Sequence, residues 1–145
     1  MRFWDSSALV PLLAREPATD ACERLLCDDP EIAVWWGTRI ECAAALVRKD
    51  RESGSPAGAL ATAWTRLQAL AAAWIEIVPS EKVRERAERN LRVHALRSAD
   101  ALQLAAAMEA SGGDYSRLPF ICRDTRLGDA AQREGFPWVT LNRPL

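Results

Sequence analysis

The amino-acid sequence predicts an α/β fold of three layers, in which a central, mostly parallel sheet of about five strands carries helices on both faces. Three observations lead there. Short apolar runs alternate with longer helical segments, Ser, Thr, Gly and Pro punctuate the boundaries, and neither a repeat nor a linker divides the 145 residues. A chain of this length matches one ordinary domain and buries roughly 70% of its unfolded surface. One domain over 1–145 is therefore expected.

Taken in order, residues 2–5 read as a short strand, and Ser6 or Ser7 caps a helix through Leu9, Val10, Leu12 and Leu13. A second helix is expected over 18–28 and a strand over 32–36. Thr38 opens a third helix carrying Ile40, Ala44 and Val47, which Ser53-Gly54-Ser55-Pro56 breaks. Residues 57–74 are rich in Ala, and Leu60, Trp64, Leu67, Leu70 and Trp74 recur at helical steps, so this apolar stripe is expected in the core. A strand over 75–78 precedes a charged helix that starts at Pro79-Ser80 and runs to about Leu96. Ser98 caps a helix over 99–110, Ser111-Gly112-Gly113-Asp114 forms a loop, and a strand follows over 118–122. A helix over 125–134, ended by Gly135, leads into a last strand over 138–141.

Composition narrows the functional classes. The chain is 49% hydrophobic and 27% charged, which fits neither a disordered nor a fibrous protein. No apolar run approaches a membrane span, and the N-terminus lacks a long apolar segment. Cys22, Cys27, Cys42 and Cys122 lack the spacing of a zinc or redox motif, so buried free thiols in a reducing cytoplasm are expected. A net charge of −1 excludes binding of nucleic acid by bulk positive charge. The nineteen basic residues are nevertheless all Arg except Lys49 and Lys82, and guanidinium forks pair with phosphate locally. A genomic preference for Arg codons would give the same composition.

Asp5, Glu41, Asp100 and Asp124 each stand where an apolar run gives way to a helix start. Four gathered carboxylates repel one another, and a divalent cation resolves that repulsion. An all-oxygen donor set suits Mg²⁺ or Mn²⁺ better than zinc, which points to phosphate chemistry. In open parallel sheets, ligands bind beyond the carboxyl ends of the strands, where Asp5 and Asp124 fall.

Each acid also has a structural reading, because carboxylates at helix starts satisfy free backbone donors. Thr38-Arg39-Ile40-Glu41 fits a capping box in which Glu41 reaches back to the Thr38 amide. Asp124 fits an N-cap, and Asp100 a first-turn acid after Ser98. Asp5 is the hardest to explain so, since Ser6 and Ser7 already offer neutral caps. Glu81, Glu85 and Glu88 share a helix with Arg84, Arg86, Arg89 and Arg92, where pairs such as Glu85–Arg89 and Glu88–Arg92 give a solvated face. Some of Arg84, Arg86, Arg89, Arg92 and Arg97, which precede Asp100 closely, can instead flank the acids, though the salt-bridged exposed helix is the favoured reading. His94, the only histidine, is expected at or near the surface, and no serine or cysteine has a base partner. Trp35 and Trp36 must point to opposite faces of their strand, one of them into the core.

With these residues in view the chain resembles the PIN-domain family, and within it the VapC-type toxins of prokaryotic toxin–antitoxin pairs. The resemblance rests on Phe3-Trp4-Asp5-Ser6-Ser7-Ala8-Leu9, Thr38-Arg39-Ile40-Glu41, Ser98-Ala99-Asp100-Ala101-Leu102-Gln103-Leu104 and Cys122-Arg123-Asp124-Thr125-Arg126-Leu127. It implies a PIN-like fold and a metal-dependent endoribonuclease with Asp5, Glu41, Asp100 and Asp124 in the acidic site. Asp5, Asp100 and Asp124 would ligate Mg²⁺ or Mn²⁺, Glu41 would serve a second ion or orient water, and Ser6 would bond a carboxylate or simply cap its helix. It also implies an RNA substrate, a cognate antitoxin and a homodimer. Cys122 departs from the pattern, since many relatives carry a hydroxyl there, and a thiol orders water less well.

The alternatives are a housekeeping RNA-processing nuclease of the same family, a phospho-acceptor α/β domain, and a catalytically silent binding module. The phospho-acceptor reading lacks a lysine near the last strands to contact an acyl phosphate.

Overall fold

The computed structural model describes residues 1–141, so the last four residues of the expected domain lie outside the described residues. Its elements are β1 (Arg2–Trp4), α1 (Ser6–Leu13), α2 (Thr19–Asp28), β2 (Ile32–Trp35), α3 (Thr38–Ser53), α4 (Ala59–Ala73) and β3 (Ile75–Ile77), followed by α5 (Glu81–Val93), α6 (Ser98–Ala110), a 3-10 turn (Tyr115–Arg117), β4 (Phe120–Cys122), α7 (Thr125–Glu134) and β5 (Trp138–Thr140). The strands form one sheet in the order β3-β2-β1-β4-β5, and every pairing is parallel.

Alternation along the strands builds the layers, because successive side chains leave opposite faces. Phe3, Ala33, Trp35, Phe120 and Cys122 join α5, α6 and α7 on one face. Trp4, Ile32, Val34 and Ile121 join α1, α2, α3 and α4 on the other. The expected three layers are therefore present, with strand and helix limits differing from the sequence reading by a few residues. The 3-10 turn was not foreseen; Asp114 accepts from the Ser116 hydroxyl at its start.

Chain order reverses across the β1–β4 pair, since the chain builds outward from β1 to β3 on one side and continues through β4 and β5 on the other. Such a reversal opens a crevice at the carboxyl ends of the two central strands. This places the residues after Trp4 and Cys122 side by side. The Asp5 amide donates to the Ile121 carbonyl at 3.0 Å. The Ser7 hydroxyl accepts from the Arg123 amide at 2.9 Å, tying the start of α1 to the turn that leaves β4. Gly128 lets the Trp138 indole lie against α7, where any Cβ would overlap the ring, and the indole N–H donates to the Cys122 carbonyl at 3.3 Å.

Several side chains differ from expectation. The inward stripe of α4 buries Ala63 and Leu67, half-buries Leu60 and Leu70 and continues to buried Trp74 at its C-cap, while Trp64 stands beside it at 39% exposure. Trp35 is buried, whereas Trp36 is exposed. His94 is buried rather than superficial because Glu134 holds its Nε2 at 2.6 Å, in a pair that Arg89 joins from α5. The charged face of α5 is tied mainly across helices, by Lys82 and Arg86 to Glu109 and by Arg89 to Glu134, rather than by the expected Glu85–Arg89 and Glu88–Arg92 pairs. Cys22, Cys42 and Cys122 are buried free thiols, while Cys27 is exposed.

Candidate metal centre

Asp5 ends β1 as the N-cap of α1, with one carboxylate oxygen accepting from the Ser7 amide at 2.9 Å. Ser6 and Ser7 are thus not the caps that the sequence suggested, and Asp5 combines a capping bond with an inward position. Only 4% of its surface is exposed. Burial raises its pKa to about 6, and the nearby charges of Glu41 and Asp100 push the same way against the Ser7 bonds.

Glu41 does not close a capping box. Gly37 is the N-cap of α3, placed against the Trp35 indole where a Cβ would collide, and Thr38 lies inside the helix with its side chain buried. The Glu41 carboxylate turns toward the crevice, where its Oε2 accepts from the Ser6 hydroxyl at 2.8 Å and from the Gln103 side-chain amide at 3.0 Å. The same Gln103 amide donates to the Thr38 hydroxyl at 3.0 Å. Among the described residues nothing donates to Oε1, which is left for the crevice.

Asp100 sits in the first turn of α6, whose N-cap is Arg97 rather than Ser98. Its pKa is raised by burial and then by the charge of Asp124, and this outweighs the pull of Arg126 and Arg97. Asp124 is the N-cap of α7, accepting from the Leu127 amide at 2.9 Å. The sequence reading of Asp124 as a cap is therefore correct, and the cap faces the crevice as well. Cys122, at the position of the missing hydroxyl, is buried and its thiol donates to the Asp124 carbonyl at 3.4 Å. Burial pushes that thiol's pKa far up, with the charges of Asp5 and Asp124 adding to it, so it stays protonated.

The four predicted acids therefore meet from four elements. Glu41, Asp100 and Asp124 line one cleft of about 720 Å³ with Ser6 and Ser7. Asp5 lies beneath it and feels both Glu41 and Asp100. Among the described residues no three His, Cys, Asp or Glu side chains stand grouped as a ready-made coordination cage. That arrangement still suits a magnesium-like ion, which keeps several waters and takes one or two carboxylates directly. The donor set is all oxygen, and two of its members have carboxyl pKa values raised partly by their neighbours' charge. Both facts fit a hard divalent cation.

Sequence reasoning missed the supports. Gln103 is 1% exposed within the otherwise apolar Ala101–Met108 face of α6, and a buried amide in such a run was the available signal. Glu16 accepts from Lys49 at 2.9 Å and from Arg123 at 2.5 Å, joining α3 to the turn before Asp124. Burial pushes the Glu16 pKa up, but these two cations hold it below its ordinary value. Of Arg84, Arg86, Arg89, Arg92 and Arg97, some of which could flank the acids, Arg97 lines the cleft and the four on α5 do not; Arg48, Arg123 and Arg126 line it as well.

Gln103→Leu is expected to strand the Thr38 hydroxyl and free Glu41, lowering stability by about 1–3 kcal/mol. Chemical denaturation checks this, and an unchanged midpoint would show that the network contributes nothing.

Comparison with solved structures agrees with the topology. A toxin–antitoxin complex from Klebsiella pneumoniae aligns at TM-score 0.67 and 20% identity, covering 99% of this chain and 100% of that one. FitAcB from Neisseria gonorrhoeae aligns at TM-score 0.67 and 16% identity, with 97% and 98% covered. PAE2754 from Pyrobaculum aerophilum gives TM-score 0.63 and 21% identity over 89% and 83%. At such identities these likenesses speak for the fold alone. No curated protein matches the chain. Residues 2–133 match the PIN domain, a span that contains every strand but the last and all four acids, and the chain accordingly belongs to the PIN domain family.

Proposed function

We propose that the chain is a divalent-metal-dependent endoribonuclease, the toxin of a type II toxin–antitoxin pair. The observation that carries this reading is the gathering of Asp5, Glu41, Asp100 and Asp124 around one crevice at the β1–β4 reversal, where PIN membership favours nuclease chemistry. Asp5, Asp100 and Asp124 would hold Mg²⁺ or Mn²⁺, directly or through water. When bound, such an ion supplies Lewis-acid stabilisation of charge on a phosphate and acidifies a water.

The protein's own groups do the rest. Ser6 and Gln103 fix Glu41 through Oε2, so that Oε1 accepts a hydrogen bond from the attacking water and orients it in line with the scissile bond. The water oxygen bonds to phosphorus as its proton passes by way of Glu41 to solvent, the bond to the leaving ribose oxygen breaks, and that oxygen takes a proton from solvent. Cys122 serves the local backbone through its bond to the Asp124 carbonyl.

The test is cleavage of RNA in Mg²⁺ or Mn²⁺ by wild type, Asp5→Ala and Asp100→Ala, with a panel of RNAs because toxins of this kind are selective. Loss of cleavage in both variants and in EDTA is expected. Equal activity in EDTA would refute the metal mechanism.

We further propose a cognate antitoxin and a second copy of the chain as protein partners, both in the cytoplasm. The Klebsiella neighbour is itself a toxin–antitoxin complex. Exposed Trp36, Ile40 and Trp64 form an apolar surface beside α3 and α4, which we assign to the antitoxin. Ile40→Glu with Trp64→Glu should weaken antitoxin capture at least tenfold, about 1.4 kcal/mol; wild-type affinity would remove that assignment. Among the described residues no helix is long and apolar enough to cross a membrane.

A further inference from the structure

We propose that Arg48, Arg97 and Arg126 form a phosphate-gripping rim, which holds the RNA backbone on either side of the linkage to be cut. The proposal rests on the nuclease reading above and names the residues that position its substrate.

The three arginines come from three elements and border the same cleft as the acids. Each accompanies an acid of its own segment. Arg48 lies about two turns beyond Glu41 on α3, so both share one helix face. Arg97 is the N-cap residue of the helix that carries Asp100, and Arg126 follows Asp124 in the first turn of α7. An element that delivers an acid to the floor thus also delivers a guanidinium to the edge.

Their place at the cleft, and not in a salt bridge across the helices, distinguishes them from the paired arginines. All three are exposed, and Arg97 and Arg126 stand near enough to Asp100 for their charge to pull its pKa down, the Arg97 backbone amide bonding its carboxylate. In the same cleft Arg123 is bound to Glu16, and on α5 Arg84, Arg86 and Arg89 are bound to Glu81, Glu109 and Glu134. Exposed guanidiniums around a polar cleft are forks that can take phosphate bidentately.

The charge balance explains why a rim is needed. The chain carries a net −1 and cannot draw a polyanion by bulk charge. The floor holds Asp5, Glu41, Asp100 and Asp124, which repel a phosphodiester. Three guanidiniums at the mouth offset most of that charge, and they act on the flanking phosphates rather than on the reacting one. Removing one should therefore weaken ground-state binding and transition-state binding alike, raising KM with little change in kcat.

The experiment compares wild type with Arg48→Gln, Arg97→Gln, Arg126→Gln, the triple variant and Arg92→Gln, an exposed control on α5. Binding of a fluorescent single-stranded oligouridylate is measured across a salt series in the Asp124→Asn background, and cleavage of an RNA cut by wild type is measured in parallel. Each rim substitution should weaken binding and make the logarithmic salt dependence shallower by about 0.7. Arg92→Gln should leave the slope unchanged, and Arg→Lys at the rim positions should restore the slope. A triple variant with the wild-type slope and KM would overturn the rim while leaving the nuclease reading intact. Rim-dependent binding by a wild type that cleaves no RNA would keep the rim and refute the nuclease. Loss of antitoxin binding alone, with RNA binding intact, would assign the arginines to the protein partner and overturn the proposal.

Discussion

Asp5→Asn is expected to abolish metal-supported RNA cleavage and, in the same protein, to raise the stability of the metal-free fold at pH 7 by on the order of 3 kcal/mol. The second effect follows from the position of Asp5. Its carboxyl is 4% exposed and titrates at about 6 instead of 3.8, so the folded chain resists its ionisation. The sign is that of an acid with a raised folded value. Below about pH 4 the group is protonated in both states and imposes no cost. As pH rises from about 4 to 6 the unfolded chain releases the proton first, and the fold loses about 1.4 kcal/mol per pH unit before levelling off.

Asparagine keeps the side-chain oxygen that accepts from Ser7, since Asn caps helices about as well as Asp, but it carries no charge to bury. Denaturant titrations in EDTA at pH 4 and pH 7 should show a gain for the variant at pH 7 and little at pH 4. Cleavage should fall by more than the roughly 10–100-fold that outer-sphere partners of metals typically cost. A variant less stable than wild type at pH 7 would mean that Asp5 does structural work its charge does not oppose. A variant that still cleaves would remove it from the metal centre.

Adding Mg²⁺ or Mn²⁺ should reverse that pH dependence. A cation that binds only the folded chain stabilises it by about 2.7 kcal/mol at a hundred times its Kd. For a chain of this size that is a Tm rise of roughly 10 °C. The shift should be largest at pH 7, where the carboxylates are ionised, and should shrink toward pH 5, where the cation competes with a proton on Asp5. Asp100 follows the same direction, being raised by burial and by Asp124. Thermal melts with and without the ion check this, with Asp5→Asn/Asp100→Asn as control. An equal shift in that double variant would place the binding ion elsewhere.

The two experiments also separate causes that a loss of activity confounds. An inactive but stabilised protein has lost charge at a functional position, whereas an inactive and destabilised one has simply lost its fold. Sites whose carboxylates crowd without a counter-cation are expected to cost stability, because the geometry that serves the ligand opposes folding without it.

Much of this arrangement is legible in the sequence. The order of strands and helices followed from punctuation, as with Ser53-Gly54-Ser55-Pro56 after α3 and Gly135 after α7, whose left-handed backbone suits glycine. The sequence order of Asp5, Glu41, Asp100 and Asp124, each at a helix start, pointed to one sheet edge, and all four acids meet there. What failed did so where long-range contacts choose between local options. A capping box at Thr38–Glu41 is the better local solution, but Ser6 and Gln103 bring two donors from α1 and α6 and draw Glu41 away. Trp64 fits the apolar stripe of α4 by spacing, yet Ala63 fills the contact and leaves the indole at the surface. His94 reads as superficial within an Arg-rich helix until Glu134 arrives from α7.

By itself, then, the sequence determined the layers, the strand and helix order and the placing of the four acids at helix starts, because hydrophobic period and turn chemistry act over a few neighbouring residues. Only the tertiary structure decided that Asp5 is both cap and buried charge, that Gln103 holds Glu41, and that Arg48, Arg97 and Arg126 border the cleft while the α5 arginines do not. Those outcomes depend on groups tens of residues apart in the chain, which meet only when β1 and β4 pair and the crevice opens at their carboxyl ends.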